Sequence, residues 1–122
     1  MSKILVVDDE QNIRFVFREV LTEEGYDVFE AQAEEDTFDI LNRELIDLVL
    51  LDIKLRSQSG LDILKRITKE FPDTPVLLCS AYVSFQNDFA SWLADGYMVK
   101  SSDPEELLEE VGKILKLRGR VS

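Results

Sequence analysis

Short runs of aliphatic residues, uninterrupted by polar side chains, most constrain the fold of this chain. Residues 4–7 and 48–51 are two such runs, each with four aliphatic residues in succession. A strand with one face in water alternates apolar and polar residues, so an unbroken run indicates a strand buried on both faces of a helix-covered parallel sheet. Helix-length segments separate five strand-like segments, at 3–7, 26–30, 47–51, 75–79 and 96–99. The sequence therefore predicts a single α/β domain with a five-stranded parallel sheet.

The segments between the strands carry apolar residues at helical spacing, which we expect to pack against the sheet. These stripes are Ile13, Phe17, Val20 and Leu21; Phe38, Leu41 and Leu45; Leu61, Leu64, Ile67 and Phe71; Phe85, Phe89, Trp92 and Leu93; and Leu107, Val111, Ile114 and Leu115. The last helix has the clearest start signal, with Asp103 as the N-cap, Pro104 in the first helical position and Glu106 completing a capping box. It is predicted to begin near residue 103.

The second strand differs from the others in composition. Asp27 and Glu30 interrupt its apolar residues, a mixed pattern that favours the edge of a sheet over its middle. An edge position for this strand favours the order 2-1-3-4-5, a doubly wound, flavodoxin-like arrangement with helices on both faces. The chain then reverses direction between strands 1 and 3, and the residues beyond those strands lie at the switch point where such sheets bind ligands.

Acidic residues follow both aliphatic runs at this switch point. Asp8 and Asp9 come directly after the first run, and Asp52 comes directly after the second. Two like charges about 4 Å apart repel by roughly 4 kcal/mol at the effective dielectric of a protein surface, so a cation is expected among them. Mg²⁺ fits an all-oxygen site of this kind, whereas no EF-hand loop indicates calcium. The alternative is that these are ordinary loop aspartates, which are common.

Composition excludes several classes of function. A formal net charge of −11 argues against direct binding of nucleic acid or of an anionic membrane. The chain has no histidine, which rules out Ser-His-Asp triads and His-ligated metal sites, and its single cysteine rules out an internal disulfide. No segment approaches the roughly 20 apolar residues that span a bilayer, and we expect a cytoplasmic protein.

Two further polar residues end the remaining strands. Ser80 follows the fourth strand and Lys100 the fifth, so a hydroxyl and an ammonium are expected at the same edge of the sheet as the acids. A metal site, a carboxylate nucleophile and a cation in one crevice are the groups that phosphoryl transfer requires.

With these residues in place, the chain resembles the response-regulator receiver domain of two-component signalling. The matching motifs are VVDDE at 6–10, LLDI at 50–53, GLD at 60–62, SA at 80–81 and YMVK at 97–100. The resemblance implies a receiver domain at 1–117, with 118–122 as a tail or the start of a linker. It also implies that Asp52 accepts a phosphoryl group from a sensor histidine kinase or phosphotransfer protein.

The resemblance implies roles for the other site residues as well. Mg²⁺ is held by Asp8, Asp9 and Asp52 with the main-chain carbonyl of Lys54, and Ser80 and Lys100 contact the phosphoryl oxygens. Ser80 and Tyr97 form the switch, which is read on the face of the fourth helix, fifth strand and fifth helix. The domain is then a regulatory phosphoacceptor and not an enzyme in the usual sense, apart from catalysing its own phosphorylation and dephosphorylation.

A downstream effector domain or protein would read this switch. A homodimer is an alternative because the fourth predicted helix is aromatic, with Phe85, Phe89 and Trp92.

The chain also departs from the family pattern. Ser101 follows Lys100 where the family usually has proline, and Arg56 and Ser59 replace the usual Pro and Asp. These changes favour one rival, a phosphorylation-independent interaction module on the same fold. A phosphatase of the haloacid-dehalogenase type is disfavoured, because Lys54 stands where it needs a second Asp.

Lys54 and Tyr82 stand at the positions that influence acyl-phosphate lifetime in this family. We predict that Tyr82 partly shields the phosphoryl group from water, so Tyr82→Ala should shorten the half-life of the phosphorylated form. The decay of the phosphorylated mass after donor removal measures this. An unchanged or longer half-life would instead indicate that the ring points into solvent.

Overall fold

The predicted parallel sheet and its strand order are confirmed. The computed structural model describes residues 2–55, 59–80, 94–99 and 103–118, with the main chain alone at Ser80, Val99 and Arg118. The five parallel strands are ordered β2-β1-β3-β4-β5. They are β1 (Lys3–Val7), β2 (Asp27–Ala31), β3 (Leu48–Asp52), β4 (Val76–Ser80) and β5 (Gly96–Val99). Each strand lies within one residue of its predicted position.

Helices cover both faces of the sheet, as predicted for a doubly wound fold. The described helices are α1 (Gln11–Glu23), α2 (Glu34–Arg43), α3 (Gly60–Glu70) and α4 (Pro104–Arg118). The helices α1 and α4 pack on one face, and α2 and α3 pack on the other. No helix in these segments is long and apolar enough to cross a bilayer. The predicted helix with Phe85, Phe89, Trp92 and Leu93 lies outside the described residues.

The aliphatic runs form the centre of the core because their side chains alternate between the two faces. In β1, Ile4 and Val6 join the cluster under α1 and α4, whereas Leu5 and Val7 join the cluster under α2 and α3. All five residues of β3 are buried. By contrast, the edge strand β2 exposes Asp27, in agreement with its mixed sequence.

Local hydrogen bonds set the ends of the helices. Gly25, with φ of 96°, adopts the left-handed conformation that terminates α1, and its amide donates to the carbonyl of Thr22 at 2.9 Å. At the start of α4 the Asp103 carboxylate accepts from the amide of Glu105 at 3.0 Å. This confirms Asp103 as the N-cap, while the second half of the predicted capping box, at Glu106, stays a prediction.

The stripe predicted for α2 is wrong at its last position. Leu41 is 5% exposed, but Leu45 is 69% exposed. The helix ends at Arg43, and Glu44 has an extended backbone with φ of −121° and ψ of 149°. Leu45 therefore no longer lies one helical turn beyond Leu41 on the same face. Ile46, 2% exposed, joins the core instead.

Leu41→Ala and Leu45→Ala remove the same atoms from a buried site and an exposed site. We expect Leu41→Ala to lower the free energy of unfolding by about 2–5 kcal/mol, because it leaves a cavity in the core. Leu45→Ala should change it by less than about 0.5 kcal/mol. Urea denaturation followed by circular dichroism measures both values. Equal losses would contradict the observed end of α2.

Candidate functional site

Three carboxylates meet at the carboxyl edge of the sheet. Because Val7 pairs with Leu51 in the parallel register of β1 and β3, the residues that follow them emerge side by side. Asp8, Asp9 and Asp52 each place a carboxylate oxygen within 4.8 Å of the others. Asp8 and Asp52 are only 2% and 6% exposed, and Asp9 is half-buried. The structure therefore brings together the three acids singled out in the sequence.

Main-chain amides orient two of these acids. The amide of Glu10 donates to Oδ1 of Asp8 at 2.9 Å, and the amide of Lys54 donates to Oδ1 of Asp52 at 3.3 Å. The main chain of Asp8 is itself tied to the sheet, since its amide donates to the carbonyl of Ala31 at 3.0 Å. These bonds fix the direction of the two carboxylates.

The chemistry of this donor set fits a magnesium ion. Carboxylate oxygens are hard ligands, and two ligands on opposite sides of one Mg²⁺ are about 4 Å apart. The 4.8 Å limit on the oxygen separations in the cluster is close to that span. A divalent cation would also offset the mutual repulsion of three carboxylates.

The start of α3 packs directly against the Asp52 main chain. The amide of Gly60 donates to the carbonyl of Ile53 at 2.6 Å. A Cβ atom on Gly60 would overlap the carbonyl oxygen of Asp52 and lie 2.9 Å from Cα of Ile53. Only glycine permits this approach. The glycine of the GLD motif thus lets the first turn of α3 pack against the main chain of Asp52, the predicted nucleophile.

A surface cleft of about 810 Å³ opens beside the cluster. Its described lining includes Asp9, Glu10, Arg14 and Lys54. The Lys54 side chain is exposed at this cleft, and its main chain bridges to Ser59. The cleft provides room for a group larger than a metal ion next to the half-buried Asp9.

The remaining predicted site residues are only partly covered by the described chain. Ser80 ends β4 beside Val99 of β5, which places its main chain at the carboxyl edge of the sheet. Tyr97 is partly buried against the core cluster that α2 and α3 cover. Lys100 and Tyr82 lie outside the described residues, as does Ser101. Their predicted roles stay predictions.

The sequence pattern does not identify Arg14 as a residue of the site, and it marks Glu30 only as part of an edge strand. Arg14, in the first turns of α1, donates to the carbonyl of Asp8 at 2.7 Å and to Glu30 of β2 at 3.3 Å. The sequence offers one signal for a role of Arg14, a basic residue six positions after Asp8. Its contact with Glu30 becomes visible in the fold, where β2 lies beside α1.

Comparison with known proteins agrees with this geometry. The family model described as "Response regulator receiver domain" matches residues 4–112. The chain belongs to the response regulator receiver domain family. Its acidic cluster thus lies in a receiver domain of two-component signalling.

Two curated relatives of this receiver domain differ in length. Sporulation initiation phosphotransferase F of Bacillus subtilis is 35% identical over 119 residues, which cover 96% of this chain and 96% of that protein. Response regulator ArlR of Staphylococcus aureus is 35% identical over 118 residues, which cover 95% of this chain but 53% of that protein. The chain therefore spans about half the length of ArlR.

Solved structures share the fold closely. The response regulator TrrA of Thermotoga maritima, in complex with Mg²⁺ and BeF, is 43% identical with a TM-score of 0.90, over 94% of this chain and 100% of that one. The same regulator in complex with the histidine kinase ThkA gives a TM-score of 0.88 over 94% of this chain and 99% of that one.

Gly60→Ala and Gly112→Ala provide a matched test of the contact between α3 and Asp52. Gly60→Ala should lower the free energy of unfolding by about 1–3 kcal/mol, because the methyl group has no space. In the described part of the chain, no atom outside the adjoining backbone of α4 lies within 4 Å of a Cβ at Gly112, in the middle of that helix. Gly112→Ala should therefore raise the free energy of unfolding by about 0.5–1 kcal/mol. Urea denaturation measures both. Stabilisation by both changes would contradict the close approach at Gly60.

Proposed function

We propose that this receiver domain is a phosphorylation-activated signalling switch in which Asp52 is the phosphoacceptor. The observation that carries the proposal is the position of Asp52, buried at the end of β3 with Asp8 and Asp9 within 4.8 Å, in a chain of this family. Of the three acids, Asp52 alone is a strand residue, and its main chain is packed against α3. A rigidly held carboxylate suits a nucleophile.

The reaction takes place at a carboxylate oxygen of Asp52. This oxygen forms a bond to the phosphorus of a phosphohistidine as the bond from phosphorus to nitrogen breaks, and the electron pair remains on the imidazole nitrogen. The product is an acyl phosphate on Asp52.

Asp8, Asp9 and Asp52, with the main-chain carbonyl of Lys54, are the groups that would hold Mg²⁺. When bound, this ion supplies positive charge that offsets the repulsion between the carboxylates and the incoming phosphoryl oxygens. Lys100 and Ser80 are proposed to contact the same oxygens. The Mg²⁺–BeF complex of TrrA supports a Mg²⁺ ion in this chain, since TrrA is 43% identical to it and has the same fold.

Phosphorylation adds negative charge and acceptor oxygens at the ends of the strands. We propose that Ser80 moves towards the phosphoryl group and that Tyr97 moves with it. Tyr97 lies on β5, and β5 contacts α4. The response is therefore expected on the face that we predict for β5, α4 and the helix at 85–93.

We propose that the domain acts in the cytoplasm and that its phosphodonor is a sensor histidine kinase or phosphotransfer protein. The complex of ThkA with TrrA supports a kinase partner. An effector domain or protein is the proposed recipient of the signal, which agrees with the greater length of ArlR. The domain itself is proposed to act without a direct nucleic-acid or membrane contact, because its net charge is −11.

Incubation with Mg²⁺ and acetyl phosphate tests the assignment of Asp52. We expect wild-type protein to gain a single phosphoryl group, and Asp52→Ala to gain none because the nucleophile is lost. Intact-mass spectrometry measures the adduct. Asp62→Ala, which removes an exposed acid in the first turn of α3, is the matched control and should be labelled like wild type.

Removal of Mg²⁺ with a chelator should abolish labelling, since the carboxylates would then repel the donor. An adduct that persists in Asp52→Ala would place the phosphoryl group on another residue. If wild-type protein gains no adduct from any of several small donors, the phosphorylation-independent interaction module becomes the better reading.

A further inference from the structure

Arg14 joins the acidic cluster to the edge of the sheet. Its Nη1 donates to the main-chain carbonyl of Asp8 at 2.7 Å, while its Nε donates to Oε1 of Glu30 at 3.3 Å. Its side chain is 14% exposed. A guanidinium that is largely buried and donates in two directions holds both of its partners in a fixed relation.

The carbonyl that Arg14 contacts belongs to a proposed metal ligand. The amide of Asp8 donates to the carbonyl of Ala31, and the carbonyl of Asp8 accepts from Arg14. Both main-chain groups of Asp8 are therefore hydrogen-bonded. The Asp8 carboxylate in turn accepts from the amide of Glu10. The direction of this carboxylate therefore depends on how firmly the Asp8 main chain is held.

Glu30 also accepts a hydrogen bond from a second arginine, Arg18, which provides an internal comparison. Nη1 of Arg18 donates to Oε2 of Glu30 at 2.7 Å, and the Arg18 side chain is 56% exposed. Arg18 lies one helical turn beyond Arg14 on α1. The two residues thus share a charge, a helix and a partner, and Arg14 in addition donates to the main-chain carbonyl of Asp8.

We propose that Arg14, held by Glu30, is a positioning residue for the metal site. It fixes the main chain of Asp8 so that the Asp8 carboxylate is directed at the cation shared with Asp9 and Asp52. This inference rests on the proposed function, because it assumes that the cluster binds a divalent cation. Partners that orient metal ligands contribute about 10- to 100-fold to metal affinity.

The direction of the change in cation affinity distinguishes a positioning role of Arg14 from an effect of its charge alone. Arg14 carries a positive charge near the cluster, so by Coulomb's law its removal should strengthen the binding of a cation. Removal of Arg18 should act in the same direction. If Arg14 positions Asp8, its removal should instead weaken binding, while removal of Arg18 should not.

The test compares Mn²⁺ binding by wild type, Arg14→Met and Arg18→Met, with electron paramagnetic resonance reporting the free ion. We expect Arg14→Met to raise the dissociation constant by about 10-fold, at the low end of the range for such partners. Arg18→Met should change it by less than about twofold, as for a largely exposed ion pair. Tighter binding by Arg14→Met, or equal changes in the two variants, would overturn the proposal.

Arg14→Lys covers the case in which Arg14→Met does not fold. Lysine keeps the positive charge, but its ammonium group lacks the planar geometry with which the guanidinium donates to Asp8 and Glu30 together. We expect weaker Mn²⁺ binding, with a smaller loss than for Arg14→Met, whereas unchanged affinity would overturn the proposal. Circular dichroism without metal establishes that each variant is folded.

Acetyl phosphate labelling separates this inference from the proposed function. The labelling rate of Arg14→Met should fall at low Mg²⁺ and recover at saturating Mg²⁺, because the nucleophile Asp52 is unchanged. If wild type is labelled and Arg14→Met binds Mn²⁺ normally, only the role of Arg14 fails. If wild type is not labelled, the proposed function fails and the Mn²⁺ comparison still reports on Arg14.

Discussion

The parallel pairing of β1 with β3 is the constraint on which the site depends. Both strands run in the same direction and are buried on both faces, so their carboxyl ends must emerge together. The register that aligns Val7 with Leu51 brings Asp8 next to Asp52. A shift of one residue would turn every side chain of either strand to the opposite face, and the apolar core prevents it. The same burial that stabilises the sheet therefore sets the geometry of the acids.

This arrangement concentrates negative charge where the protein is least able to hydrate it. Asp8 and Asp52 are nearly buried, and burial of a carboxylate costs free energy unless it is hydrogen-bonded or paired with a cation. The amides of Glu10 and Lys54 offset part of that cost. The remainder favours cation binding, and we expect a cluster with only carboxylate ligands to prefer a small, hard ion.

The sequence was sufficient for the features that depend on periodicity and strand order. Unbroken aliphatic runs predicted buried strands, and the acids of β2 predicted its place at the edge. The sequence was insufficient at Leu45, because no glycine or proline marks the end of α2. The helix ends before Leu45 because the backbone of Glu44 is extended. The sequence pattern also missed Arg14, since a contact between side chain and main chain across two elements leaves no periodic trace. Lys100 and Tyr82 stay predictions from the resemblance.

The position of Glu30 on the outermost strand has a consequence for association between molecules. An edge strand offers unpaired main-chain groups to any other extended chain, and charged side chains are one way to discourage such pairing. Glu30 and its two arginines form a cluster of charge along this edge. A foreign strand that docked here would have to displace or desolvate that cluster. Substitutions that remove Glu30 or neutralise its arginines are thus expected to make the protein more prone to aggregate. Because Arg14 also contacts Asp8, such a change would affect solubility and the acidic cluster together.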